Sequence, residues 1–325
     1  MVVNPTSIER EASLLNLTVR STAMIASDIA LIELSSPWQE PLPAAEAGAH
    51  IDVHVSKATI RQYSLLDPHP APKCYRIAVR LDPGGRGGSL ALAEKKAGDV
   101  LQTSHPRNNF PLDTTADHSV LLAGGIGITP IYSMARRLSQ LNRSWELHYA
   151  CRSRRNAAFV QDLADRPGRA HFHFDDEAGH TLDLATIVSN APADSHFYCC
   201  GPGAMLDSFQ RQTRDRPAAH VHLERFEPIA SNDAVPTQGF HVVLARSGKE
   251  LFVAPGRTIL EVLNEAGIET VSSCRLGICG TCETGVVAGV PDHRDSILTA
   301  SERQSGNVIM ICCSGCLGER LTLDL

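Results

Sequence analysis

No cysteine precedes Cys74, and only four of the ten lie before Cys274, so most of the chain offers no disulfide framework to read. Excess positive charge is also missing. With 30 basic against 36 acidic residues the net charge is −6, which excludes a global field that draws in nucleic acid or an anionic membrane. No uninterrupted apolar run approaches the roughly 18 residues that a membrane span requires. Glu9, Arg10, Glu11 and Arg20 interrupt any apolar core of a secretory signal, so a cytoplasmic, reducing location is expected. Neither an internal repeat nor a low-complexity tract is present. A single small module is excluded by the length of 325 residues, which implies two or three domains at roughly 150 residues each.

What is present changes character twice along the chain. Up to about Leu112 the pattern is β: Ile51–Val55 and Tyr75–Arg80 alternate apolar with polar residues, separated by Pro- and Gly-rich turns at Asp67–Pro72 and Asp82–Gly85. A small antiparallel barrel is expected there. From Ser119 apolar runs alternate with helical segments. Ser119–Ala123, Glu146–Cys151, His171–Phe174 and His196–Cys200 read as buried strands, and Ile131–Gln140 and Met205–Gln212 as helices, which together imply a parallel α/β sheet. The stretch after Phe226 is polar with two prolines and has the composition of a linker. Beyond it, strands at Phe240–Leu244 and Glu250–Val253 flank a turn, and Thr258 is placed to cap a helix from Ile259 to Ala266 that stops at Gly267. The expected division is therefore 1–113, 114–227, a linker at 228–238, and 239–325.

Six cysteines crowd between Cys274 and Cys316. Cys274-x4-Cys279-x2-Cys282, then 29 residues to Cys312, is the plant-type [2Fe–2S] spacing: three thiolates on one tight loop and a fourth from a distant strand. Gly277 and Gly280 allow backbone amides to turn toward the sulfurs. Zinc loops pair two short hairpins instead and suit this spacing poorly. Cys312, Cys313 and Cys316 compete for the fourth position. Cys312 is preferred because the strand Val308–Ile311 carries it in, with Cys313 expected on the opposite face.

Val120–Pro130 reads as a strand entering a glycine turn and then a helix, with Thr129 expected at the N-cap and Pro130 at the first helical position. Gly124, Gly125 and Gly127 permit close approach, and amides at such a helix start favour a pyrophosphate. A second strand, ending at Cys200-Gly201-Pro202 before Met205, is expected to open on the same sheet edge. In the barrel, Arg61, Gln62, Tyr63 and Ser64 form an extended segment offering a cation, a ring and a hydroxyl; taken alone it reads as an edge strand. Arg86, Gly87, Gly88 and Ser89 precede a short helix and suit one phosphate. Both segments fit a flavin mononucleotide.

With these sites in this order, nearly the whole chain resembles the phthalate dioxygenase reductase family. The resemblance rests on Arg61-x-Tyr63-Ser64-Leu65, Gly87-Gly88-Ser89, Gly124-Gly-Ile-Gly-Ile-Thr-Pro130, Cys200-Gly201-Pro202 and the cysteine loop. It implies three cofactor domains: an antiparallel flavin barrel, a Rossmann-like nicotinamide domain and a plant-type ferredoxin β-grasp domain. FMN, NADH and [2Fe–2S] are the implied cofactors, and a Rieske-type oxygenase is the implied partner, in aromatic catabolism. Ser64 and Thr129 are then expected near the flavin's reacting edge, Cys200 beside the nicotinamide without acting as a nucleophile, and Phe226 stacked on the flavin. Val79 and Arg80 are further flavin candidates. Arg152 and Ser153, after the second α/β strand, are placed for a 2′-phosphate should NADPH be used; Asp175 or Asp176 are candidates for a ribose hydroxyl, although taken by themselves they read as solvated loop acids. No extra segment for the adenine of FAD is evident. Cys313 and Cys316 depart from the family pattern.

Two other functions compete: a stand-alone NADH oxidase or flavin reductase, and a non-catalytic redox or metal sensor. The 14 histidines scatter without ligand spacing, and His171 and His173, sharing a strand face, are expected to be a packed or solvated pair rather than a metal site.

Overall fold

The computed structural model describes residues 14–56, 59–85, 87–166, 169–227 and 238–325. Arg86, the N-terminal charges at Glu9–Glu11 and nearly all of the expected linker lie outside the described residues. By its contacts the chain divides into two compact units, Met1–Arg225 and Phe226–Leu325.

The first unit begins with strands whose side chains alternate between core and surface. β1 (Leu15–Ala26), β2 (Ile29–Ser35), β3 (His50–Ser56), β4 (Thr59–Ser64), β5 (Cys74–Arg80) and β6 (Val100–Thr103) form one antiparallel sheet in the order β4-β3-β6-β1-β2-β5. Leu17, Val19, Ile32, Leu34, Ile51, Val53, Ile77 and Val79 fill its interior, which curls the sheet so that its end strands β4 and β5 approach each other. A short helix, α1 (Gly88–Ala93), follows β5.

The second sheet is parallel and reads as continuous apolar runs, because it is covered on both faces. Its strands are β7 (His118–Gly124), β8 (Ser144–Cys151), β9 (Arg169–Phe174), β10 (His196–Cys200) and β11 (Val221–Glu224), in the order β11-β10-β7-β8-β9. Successive residues of β7 serve opposite faces. Leu121 and Ala123 pack with Ile131, Met134 and Leu138 of α2 (Ile128–Gln140), whereas Val120 and Leu122 pack with α3 (Leu184–Asn190) and α4 (Gly203–Gln212). The first cluster also takes in Ile29, Leu66, Ala78 and Phe110 from around the barrel. This shared core explains why the two sheets form one compact unit: separating them at residue 113 exposes apolar surface on both.

The second unit is a mixed five-stranded sheet. β12 (Phe240–Leu244), β13 (Glu250–Val253), β14 (Glu283–Ala288), β16 (Val308–Met310) and β18 (Arg320–Leu323) lie in the order β13-β12-β18-β14-β16, with β12 and β18 parallel. β15 (Pro291–Asp292) and β17 (Gly315–Cys316) form a separate two-stranded ladder. Helix α5 (Ile259–Glu265) buries Ile259, Leu260 and Leu263 against the sheet. Its start is a capping box: the Thr258 hydroxyl accepts from the Glu261 amide at 3.2 Å, and the Glu261 carboxylate accepts from the Thr258 amide at 3.0 Å. Replacing Thr258 with Ala should cost about 1 kcal/mol. Denaturant unfolding of the cluster-loaded protein measures this, with unchanged visible absorption as the sign that only the cap was lost.

Candidate functional site

Three groups of expected site residues are brought together, two in the first unit and one in the second. In the parallel sheet the chain lays down β7, moves outward through β8 and β9, then returns to place β10 on the other side of β7. That reversal makes a crevice between the carboxyl ends of β7 and β10, the place where open α/β sheets bind ligands. The two strand ends run side by side, with Cys200 paired to Ala123.

The glycines here answer to backbone contact. A β-carbon on Gly127 would lie 2.2 Å from the Cys200 carbonyl oxygen and 2.8 Å from the Gly201 nitrogen. One on Gly124 would lie 2.6 Å from Cδ of Pro202 and 2.7 Å from Sδ of Met205. Gly125 has φ 53°, a left-handed backbone that favours glycine. Gly124, Gly125, Gly127, Cys200, Gly201, Pro202 and Met205 therefore form one crevice.

Thr129 corrects the reading of the helix start. The helix begins at Ile128 with Gly127 at its N-cap, so Thr129 and Pro130 lie inside the first turn, both buried. A preceding 3-10 turn at Gly125–Gly127 winds the chain into the helix early. The Thr129 hydroxyl donates back to the Ile126 carbonyl at 3.1 Å, locking the glycine turn rather than capping free amides. Cys200 is fully enclosed, and burial pushes its thiol well above the ordinary range, so it is no nucleophile. At the ends of β8 and β9, Arg152 and Asp176 meet through an amide-to-carbonyl bond of 3.0 Å, while the Ser153 hydroxyl turns to Asn156 at 2.5 Å.

Sequence reasoning missed Glu224. It ends β11 directly opposite Cys200, and its Oε2 is shielded from solvent with no hydrogen-bond partner among the described residues. Burial raises its carboxyl from 4.5 to about 8. The available signal was an acid closing the strand Val221-His-Leu-Glu224, which reads as an ordinary strand end. A raised folded-state pKa means that the folded form holds its proton longer than the unfolded chain. Stability from this group is thus full below about 4.5 and is lost as pH rises to about 8. Thermal melts across that window should show the native protein losing ground to Glu224→Gln as pH rises, with a constant gap above it. Parallel curves would contradict the assignment.

In the barrel, β4 is an edge strand, paired among the described residues to β3 alone. Gln62 donates to Asp52 at 2.9 Å, and Arg107 holds the other Asp52 oxygen at 2.8 Å, which fixes the strand. Ser64 is buried, and burial pushes the Tyr63 phenol up to about 12. Gly87, with φ 79°, precedes α1, and nothing stands within 4 Å of where its β-carbon would be. A β-carbon on the next residue, Gly88, would come 3.4 Å from Nε of Arg61, so the guanidinium and these amides lie side by side, as a phosphate requires. The Ser89 hydroxyl accepts from the Asp82 amide at 3.0 Å. Val79 faces the barrel core, leaving only its main chain to a ligand, while Arg80 is exposed at the strand end. Phe226 is exposed at the start of the second unit.

In the second unit the thiols of Cys274, Cys279, Cys282 and Cys312 converge without forming a disulfide. Cys274 donates to Cys279 and Cys282 donates to Cys312, which holds the Cys279 and Cys312 thiols below the ordinary range. Backbone amides of Leu276 and Ile278 face Cys274, that of Thr281 faces Cys279, and that of Gly277 faces Cys312. Arg275, Gly277 and Gly280 all have positive φ, which turns the loop inward. Asp295 braces this loop: its carboxylate accepts from the Ile297 and Leu298 amides at 3.2 and 2.9 Å, while Ser296 donates to the Gly277 carbonyl at 2.8 Å. A converging thiol set lined by amides fits a [2Fe–2S] cluster.

The expected opposite-facing Cys313 is corrected. β16 ends at Met310, so Cys312 and Cys313 sit in a turn where strand alternation no longer applies; the Cys313 thiol donates to the Met310 carbonyl at 3.8 Å and lies against the cysteine loop, 2.5 Å from where a β-carbon on Gly277 would stand. Cys316 belongs to the separate ladder, where its sulfur accepts from the Gly318 amide at 3.3 Å.

Comparison with known proteins bears on all three sites. Residues 242–316 match the family model described as a 2Fe-2S iron-sulfur cluster binding domain. The chain is 46% identical to phenoxybenzoate dioxygenase subunit beta of Ectopseudomonas oleovorans, over 95% of this chain and 97% of that one. The solved structure of phthalate dioxygenase reductase, described as a modular structure for electron transfer from pyridine nucleotides to [2Fe-2S], superposes with a TM-score of 0.73 at 38% identity, covering 97% of this chain and 99% of that one. An intact type IV self-sufficient cytochrome P450 monooxygenase gives a TM-score of 0.87 at 37% identity over the whole chain, which spans 43% of that longer protein. Among the described residues no helix is long and apolar enough to cross a membrane.

Proposed function

The chain belongs to the phthalate dioxygenase reductase family, and on that footing we propose that its electron acceptor is a Rieske-type oxygenase acting on aromatic acids. It is an oxidoreductase that moves electrons from NADH through FMN to a [2Fe–2S] cluster, as the reductase component of an oxygenase system. When bound, FMN accepts the hydride pair of NADH and releases it as single electrons for the cluster.

The rest is work for this chain's own residues. Gly124, Gly125, Gly127 and Gly201 keep two strand ends close enough for the dinucleotide to lie across their amides, with Pro130, Pro202 and Met205 as walls. Buried Cys200 gives the nicotinamide ring a neutral, uncharged surface, and Thr129 stiffens the turn beneath it. Arg152, Ser153 and Asp176 line the ribose end, the Asp176 carboxylate suiting the free hydroxyls of NADH. Arg61 and the amides from Gly87 to Ser89 hold the flavin phosphate, while Gln62, Tyr63, Ser64, Arg80 and the Val79 main chain border its ring. Cys274, Cys279, Cys282 and Cys312 ligate the cluster. The observation that carries this reading is one chain holding both the switch-point crevice and the amide-lined thiol set.

The likeness to a P450 monooxygenase favours one second reading, a haem oxygenase as acceptor. Mixing the NADH-reduced protein anaerobically with a Rieske oxygenase, or with a P450 haem domain, separates the two. Rapid reoxidation of the cluster is expected with the Rieske protein. Reoxidation by the haem domain alone overturns the proposal, and oxygen uptake at full turnover without either acceptor marks a stand-alone oxidase.

A further inference from the structure

On the α/β sheet, away from the crevice, β8 and its edge neighbour β9 place three metal-ligating side chains on one face. Glu146 and His148 are two residues apart in β8 and so point the same way. His171 is the register partner of His148. The two imidazoles stack with centroids 4.9 Å apart and planes 16° from parallel. One ligand atom from each of Glu146, His148 and His171 lies within 4.8 Å of the other two. His173, the other histidine on that strand face, is engaged elsewhere, 2.7 Å from the His180 carbonyl and 3.4 Å from the Asp175 carboxylate.

A second observation concerns His148 itself. Its Nε2 is shielded from solvent and makes no hydrogen bond among the described residues; the Glu146 oxygen nearest to it stands 3.6 Å away, too far for one. A sequestered imidazole nitrogen without a partner is costly unless something else binds it. Glu146 and His148 also line a cavity of about 470 Å³ together with His118, Thr186, Asn190 and Arg169, the register partner of Glu146, which leaves room for further ligands or water beside one competing cation.

We propose that Glu146, His148 and His171 bind a divalent transition-metal ion of the zinc type, separate from the cysteine cluster. Two imidazoles and a carboxylate are the donor set such ions prefer, with ligand distances near 2.0–2.2 Å that small side-chain rotations reach from this arrangement. The remaining coordination position opens to the cavity. An ion held there ties edge strand β9 to β8.

The test is equilibrium dialysis of the flavin- and cluster-loaded protein against Zn²⁺, counting zinc and iron by elemental analysis. One zinc per chain is expected beside an undiminished iron content, together with a melting temperature that rises with Zn²⁺ concentration. His171→Ala, at an exposed position, should abolish that zinc and its thermal shift while leaving iron, flavin and NADH-driven bleaching unchanged. Glu146→Gln should weaken binding, and His173→Ala should not affect it. The site is overturned if the native protein takes up no zinc, if the zinc persists in His148→Ala/His171→Ala, or if zinc appears only as iron is lost, which would place it on the cysteines.

Discussion

Replacing Cys279 with Ser should leave a folded flavoprotein that is still bleached by NADH but no longer holds its cluster. Cys279 is the middle thiol of the loop, buried, with Cys274 donating to it and the Thr281 amide facing it. A serine oxygen cannot replace the thiolate without disturbing that contact set. Iron and labile sulfide should fall from about two each per chain toward zero, the broad visible bands should vanish, and electron delivery to a one-electron acceptor should drop by two orders of magnitude or more. Flavin reduction should stay within about twofold, because the glycine crevice belongs to a separately packed unit. Loss of flavin reduction in a folded variant would show that the order of transfer is wrong.

The second large effect is expected at Gly127. An alanine there would set a methyl group 2.2 Å from the Cys200 carbonyl oxygen and 2.5 Å from its carbon, and backbone atoms cannot rotate away as a side-chain tip can. The loops after β7 and β10 must separate. A shift on the order of 1 Å in a site that must align two rings lowers hydride transfer by about a hundredfold. Overpacking of this kind also costs about 1–3 kcal/mol of stability. Gly203→Ala is the control, since it starts a helix with nothing within 4 Å of the added carbon. Stopped-flow reduction by NADH should show the loss in the first variant and near-native rates in the second. Equal rates in both would mean that the crevice does not seat the nicotinamide.

Much of this was legible in the sequence because the relevant signals are local. Strand His196–Cys200 announces itself by five consecutive buried positions, and the cap at Thr258 by an acid three residues on. The cysteine loop is legible for the same reason: three of its four thiols sit within nine residues, and spacing alone brings them together. What stayed hidden depends on partners far along the chain. The hydroxyl of Thr129 could turn toward free amides or back to Ile126, and the glycine turn before it decided the matter. Glu224 is unusual only because β10 lies beside it and its carboxyl oxygen is shielded from solvent. His148 and His171 are 23 positions apart and meet only through the β8–β9 register, so no ligand spacing can be seen in the chain. Cys313 is the opposite case: strand alternation turns it away from Cys312, but the strand ends at Met310 and the turn that follows does not alternate.

The central claim is that one chain carries electrons from NADH through flavin to the cysteine cluster, and an anaerobic NADH titration followed by visible absorption tests it most directly. Flavin bleaching should be accompanied by loss of the broad iron–sulfur bands, the two together consuming about 1.5 equivalents of NADH per chain, two electrons for the flavin and one for the cluster. A cluster that stays oxidised while the flavin is fully bleached, or a protein holding zinc on Cys274, Cys279, Cys282 and Cys312 with no flavin at all, would contradict it.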